Sequence, residues 1–209
     1  MLAKPQIVVV DYGMGNLWSV LSALEFLGAR PLISSNPADI LKAEAILLPG
    51  VGSFRLAMKS LIEKNLGEAI KEAVQIKQRK ILGICLGFQM LADFSLEDGM
   101  TPGLGLIPVP VEGFGDQELE GRKLPHIGFN QVILPNSSVL FDGFTGAEDF
   151  YFVHSYRLLL KALPGKGAIC NYGVDFLAAY EYKNVFGVQF HPEKSQTNGL
   201  RLLKNFLSV

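Results

Sequence analysis

A chain of 209 residues that is 49% hydrophobic and 19% charged can bury a substantial core, and its length suits one domain with at most an inserted lobe. Its net charge of −1 leaves no basic footprint for a nucleic-acid partner, and no apolar run approaches membrane-spanning length. Two cysteines without a Cys-x-x-Cys pair, alongside three histidines, exclude a zinc site and a disulfide framework.

Met1–Gln6 runs into a short strand without a charged-then-apolar leader, so a cytoplasmic, reduced compartment is expected. Ile7–Asp11 is an apolar run ending in an acid, followed by the turn Gly13-Met14-Gly15-Asn16. Leu17, Val20, Leu21, Leu24 and Leu27 then repeat at helical spacing until Gly28 stops the helix. Pro31–Ser34, Ala45–Leu48 and Ile81–Ile84 read as further strands, with helical patterning from Phe54 to Lys77. Such alternation implies right-handed crossovers and a parallel sheet with helices on both faces.

After Gly99 the texture changes. Leu104–Val111, Val132–Leu134, Tyr151–Tyr156, Ala168–Tyr172, Leu177–Tyr182 and Val185–Phe190 read as strands separated by Gly, Pro, Asn and Asp turns. Asn198–Leu207 closes the chain as a helix with Asn198 at its cap. The expected fold is α/β: a mixed, mainly parallel sheet flanked by helices in three layers, extended by antiparallel strands, in a single domain over 1–209.

The chemistry concentrates in two segments. Gly83-Ile84-Cys85-Leu86-Gly87 has the layout of a nucleophile elbow, where a strand turns sharply into a helix and glycines flank the nucleophile because Cβ atoms do not fit. A thiol at a helix N-terminus faces unpaired N–H groups, which favour the thiolate. Downstream, His191-Pro192-Glu193 offers an imidazole base and a carboxylate two positions on; in an extended chain both point to one side. Cys85, His191 and Glu193 therefore form a nucleophile, base and orienter for covalent acyl transfer. Cys170 lacks such a context and reads as a small buried residue.

Other loops complete this picture. Gly13-Met14-Gly15 follows a strand, but Trp18 occupies the position where a dinucleotide-binding loop needs its third glycine, so a strand-to-helix turn capped by Asn16 suffices. Pro49-Gly50-Val51-Gly52 lies at the carboxyl end of a strand, where α/β sheets place their sites. An oxyanion at Cys85 needs donors: the N–H of Leu86 is the natural first, and Val51 or Gly52 the second. His154-Ser155-Tyr156 ends a strand and gathers polar groups.

Taken together, Asp11–Leu17, Pro49–Gly52, Gly83–Gln89, Pro125–Asn130, Tyr151–Tyr156 and Gln189–Ser195 resemble the class I (triad-type) glutamine amidotransferases, in family order and over nearly the whole chain. The match is close to the glutaminase subunits of imidazole glycerol phosphate synthases. The resemblance implies that Cys85 attacks the side-chain amide of glutamine, and that water activated by His191 clears the resulting thioester. It also implies a grip on glutamine from Gly50, Gly87, Gln89, His154, Ser155 and Tyr156. No cofactor is implied. The implied partner is a (β/α)₈ cyclase that receives ammonia in histidine biosynthesis, docked near Asn16 and Lys194, with the Pro49–Gly52 loop rearranging on activation. Phe129 stands where this family usually shows tryptophan, and Val109 where it shows glycine. Lys194–Gly199 also resembles a paralogous branch that aminates sugars for surface polysaccharides; a stand-alone cysteine hydrolase is a further alternative.

Overall fold

A computed structural model describes residues 6–209; residues 1–5, on which the reading of the amino-terminal leader rests, lie outside the described residues. The first half alternates as expected: β1 (Ile7–Val10), α1 (Leu17–Phe26), β2 (Leu32–Ser34), α2 (Pro37–Lys42), β3 (Ala45–Gly50), α3 (Phe54–Glu63), α4 (Leu66–Lys71), β4 (Lys80–Cys85) and α5 (Leu86–Met90). The second half runs β5 (Ala92–Ser95), β6 (Thr101–Pro102), β7 (Ile107–Gly113), α6 (Asp116–Leu119), β8 (His126–Ile133), β9 (Ala147–His154), β10 (Tyr156–Leu159), β11 (Lys166–Tyr172), β12 (Val174–Tyr182), β13 (Val185–Val188) and α7 (Gln196–Ser208).

These strands join one sheet in the order β2-β1-β3-β4-β13-β12-β10-β7-β5-β6, with β11 pairing β12 and β8, and β8 pairing β9. The stretch β2-β1-β3-β4-β13 is parallel, and the antiparallel extension begins where β12 meets β13. Because alternate side chains point to opposite faces, a strand covered on both sides reads as an unbroken apolar run. One face of the central strands (Val8, Val10, Ile46, Leu48) packs with Ile40, Phe54, Ala57 and Leu61 from α2 and α3. The other (Val9, Leu47, Leu82, Ile84) packs with Val20 and Leu24 of α1 and Leu202, Leu203 and Phe206 of α7. This is the three-layer arrangement.

Several boundaries differ from the sequence reading. The helical stretch 54–77 is broken: Asn65 takes a left-handed conformation (φ 56°) between α3 and α4, and Glu72–Ile76 is a π-helical turn. Asn198 lies inside α7 and caps nothing; its amide donates to Glu148 and to the Asp149 carbonyl, while Ser195 precedes the helix. Asn16 does stand at the α1 cap position, but its side chain bonds Ser19 Oγ instead of a backbone N–H. The expected strand Tyr151–Tyr156 breaks at Ser155 into β9 and β10. Helix α2 went unread although Asn36-Pro37 signals it: Asn36 Oδ1 accepts from Ala38 N at 3.0 Å.

Candidate active site

Strand β4 delivers Cys85 to a backbone conformation that side chains avoid, with φ 55° and ψ −111°. That strain is the mark of a nucleophile elbow. Its glycines are explained by close contacts. A Cβ on Gly83 would sit 2.8 Å from Phe88 backbone atoms, and one on Gly87 would overlap the Leu48 carbonyl. Helix α5 spans only five residues, so a macrodipole contributes little; what it offers the sulfur are the N–H groups of its first turn. Gly50 pairs directly with Cys85 across β3 and β4, which brings the Pro49–Gly52 loop beside the elbow as expected.

His191 is held by β9 and its own turn. Its N–H bonds the Tyr151 carbonyl at 2.8 Å, and Ser195 Oγ donates to the His191 carbonyl (2.6 Å) while accepting from Tyr151 N (2.9 Å). His191 Nδ1 lies 2.8 Å from Glu193 Oε1, with both side chains buried. The cause differs from the sequence argument. Pro192–Lys194 is a 3₁₀ turn, not an extended segment, and the turn folds Glu193 back onto the ring. Burial opposes charge on this imidazole. Hydrogen bonding from the sides of Cys85 and Glu193 outweighs it and raises the ring to about 10. Nε2 makes no hydrogen bond of standard geometry within the protein, which leaves it open to a reacting group.

The other two histidines are committed elsewhere. His154 Nδ1 is 2.9 Å from the Tyr156 carbonyl, His154 Nε2 is 2.9 Å from His126 Nδ1, and His126 Nε2 is 3.2 Å from Asn130 Nδ2. The carbonyl at one end can only accept, so this chain assigns one proton to Nδ1 of each ring. Burial pushes His154 down to about 3 and His126 to about 4. His154 therefore builds the wall of the site instead of serving as a base. Cys170 is likewise inert, its thiol pushed up to about 12 by burial and by Asp175.

A cavity of about 270 Å³ opens on Cys85. Val51, Gly52, Gln89, His154, Ser155 and Tyr156, all named from the sequence as site candidates, line it. Val153 and Glu97 also line it and were not foreseen. Glu97 sits in Ser95–Gly99, which looks like any solvated loop; burial raises its carboxyl above the usual range, while one oxygen accepts from Phe54 N at 3.0 Å. Gln189 was also missed: its amide approaches Cys85 Sγ at 3.8 Å and accepts from Gln89 Nε2 at 3.0 Å. Gly50, Leu86 and Gly87 are not among the lining residues; a Cβ on Gly50 would meet the Tyr12 hydroxyl, and one on Gly87 the Leu48 carbonyl. Asn16 and Lys194 are exposed and outside the cavity. A larger cavity, about 560 Å³, lies at the amino ends of the strands around Lys80 and Lys183, remote from the sulfur.

The family model for glutamine amidotransferase class-I matches residues 8–209. The chain belongs to the class-I glutamine amidotransferases. Among similar proteins, imidazole glycerol phosphate synthase subunit HisH of Methanosarcina acetivorans is 46% identical over 206 residues, 98% of each chain. Subunit HisH 1 of Parasynechococcus marenigrum is 44% identical over 204 residues, 97% of each chain. The structure of PurLQS from Thermotoga maritima matches with a TM-score of 0.71 at 22% identity, covering 98% of both chains, which bears on the fold. In this class-I glutamine amidotransferase, then, a strained cysteine, a carboxylate-paired imidazole and a small cavity lie at the carboxyl end of a parallel sheet.

Proposed function

We infer that this glutamine amidotransferase, as one domain over 1–209, is the glutaminase subunit of imidazole glycerol phosphate synthase. The chemistry rests on Cys85, which opens on a cavity small enough to suit a single amino acid, and on the buried His191–Glu193 pair. The pathway rests on full-length likeness to HisH subunits. The Cys85 thiolate adds to the γ-amide carbon of glutamine, and the N–H groups of Leu86 and of Val51 or Gly52 receive the oxyanion. Collapse breaks the C–N bond, and the imidazolium of His191 gives its proton to the leaving nitrogen, releasing ammonia. Neutral His191 then takes a proton from water as the water oxygen adds to the γ-glutamyl thioester; collapse breaks the C–S bond, releasing glutamate and restoring the thiolate and the imidazolium. Glu193 holds the ring in one tautomer throughout. Glu97, the one acidic side chain lining the cavity among the described residues, suits the substrate's α-ammonium group.

The ammonia passes to a (β/α)₈ cyclase bound as a heterodimer in the cytoplasm; among the described residues no helix is long and apolar enough to cross a membrane. Exposed Asn16, Trp18 (72% exposed) and Lys194 support a docking face here, because α1 packs against the Pro192–Lys194 turn and Val51 at the cavity mouth is 42% exposed. Complementation tests the pathway. The gene should restore growth without histidine to a strain lacking its own glutaminase subunit under limiting ammonia. Failure there, with rescue of a strain defective in aminating a surface sugar, would transfer the chemistry to the polysaccharide branch.

A further inference from the structure

Tyr12 follows β1 and is 1% exposed, and its hydroxyl has no hydrogen-bond partner. A buried hydroxyl left unpaired costs about 1–3 kcal/mol, so this one calls for an explanation. Its position supplies one. The hydroxyl occupies the space a Cβ on Gly50 would need, and that same point lies 3.1 Å from Leu86 Cβ and 3.3 Å from Gly87 N. The phenol is thus wedged between the end of β3 and the first turn of α5, the two segments that carry the proposed oxyanion donors. It packs in the core on one face of the sheet with Leu48 and Leu86, whereas Cys85 packs in the core on the other.

A peptide group is a rigid plane, so turning its N–H toward one side turns the attached carbonyl toward the other. If the Val51 N–H swings to the sulfur side, the Gly50 carbonyl swings to the side where Tyr12 waits. Gly50 lacks a Cβ, so its ψ, the torsion on the amino side of this peptide, turns freely, and Val51 φ takes up the change on the other side. We propose that Tyr12 is a positioning residue for the oxyanion loop, its unpaired hydroxyl donating to the Gly50 carbonyl when the Gly50–Val51 peptide turns to offer Val51 N–H to the reaction. The resting loop leaves the phenol unsatisfied and the activated loop pairs it, so the hydroxyl biases the equilibrium toward the active arrangement. Burial and the nearby Cys85 charge raise the phenol well above its ordinary value, which keeps it a protonated donor at any working pH.

This rests on the function proposed above, and Tyr12→Phe in the assembled, ligand-saturated complex separates the two. The variant preserves shape and removes only the hydroxyl. The expected result is a fall of about tenfold in glutaminase kcat, the worth of one neutral hydrogen bond, with KM for glutamine and ammonia-dependent turnover unchanged. Its Tm should stay level or rise, because the resting state loses an unpaired group. An unchanged kcat would overturn the proposal, and so would a loss of activity accompanied by a lower Tm, which would show that the hydroxyl is already paired at rest. A wild-type chain that the cyclase fails to stimulate would instead reject the parent reading.

Discussion

His191 Nδ1 and Glu193 Oε1 lie 2.8 Å apart with their side chains 3% and 1% exposed, a distance set by the 3₁₀ turn that Pro192 starts. Glu193→Gln should lower glutaminase kcat by about 10²- to 10⁴-fold with little change in KM, because an amide in place of the carboxylate can present an N–H to Nδ1 and favour the wrong tautomer. Cys85→Ala should abolish glutamine hydrolysis while leaving ammonia-dependent synthesis by the partner intact. Steady-state assays with each nitrogen source read both. Glutamine hydrolysis surviving in the alanine variant would sink the assignment.

The His126–His154 pair sets a pH dependence for stability. Both rings have folded values, about 4 and about 3, below the ordinary 6.5. Between those limits the unfolded chain holds more protons than the folded one. Their contribution is therefore complete above pH 6.5 and is lost as pH falls through 4 toward 3. Tm should decline from pH 6.5 to pH 4, and the imidazole resonances of His126 and His154 should show neutral rings at pH 5. Titration of either ring near 6.5 in the folded protein would refute this.

Two glycine-to-alanine changes should behave differently. Gly87→Ala forces a methyl into the Leu48 carbonyl, which β3 cannot move, and should cost at least about 3 kcal/mol or prevent folding. Gly121→Ala meets no neighbouring atom and pays only for its φ of +82°, about 1 kcal/mol. Denaturant midpoints of the two variants give the comparison; equal losses would contradict the packing argument.

Lys194 lies on the outer surface with its Nζ 5.8 Å from the Tyr151 ring centroid, a contact worth little at an exposed site. Lys194→Ala should leave Tm unchanged yet weaken the cyclase complex at least about fivefold, ~1 kcal/mol. Titration calorimetry on the purified subunits measures it. Unaltered affinity together with unaltered stimulation would remove Lys194 from the interface.

The alternation of apolar runs and helical stripes, the elbow glycines and His-Pro-Glu were legible in the sequence, because strand period, steric exclusion at a tight turn and the needs of acyl transfer act on neighbouring residues. Pro49–Gly52 was legible for the same reason. What linear spacing could not show were relationships between distant segments. Glu97 is an ordinary loop acid until β5 brings it to the cavity, Gln189 is one more polar residue until it meets Gln89, and Ser195 matters only because β9 lies beside the triad turn. His154 illustrates the division most clearly. Its sequence position marked it for the site, but only its bonds to His126 and the Tyr156 carbonyl excluded it as a base, since a ring's protonation is decided by burial and by partners that folding supplies.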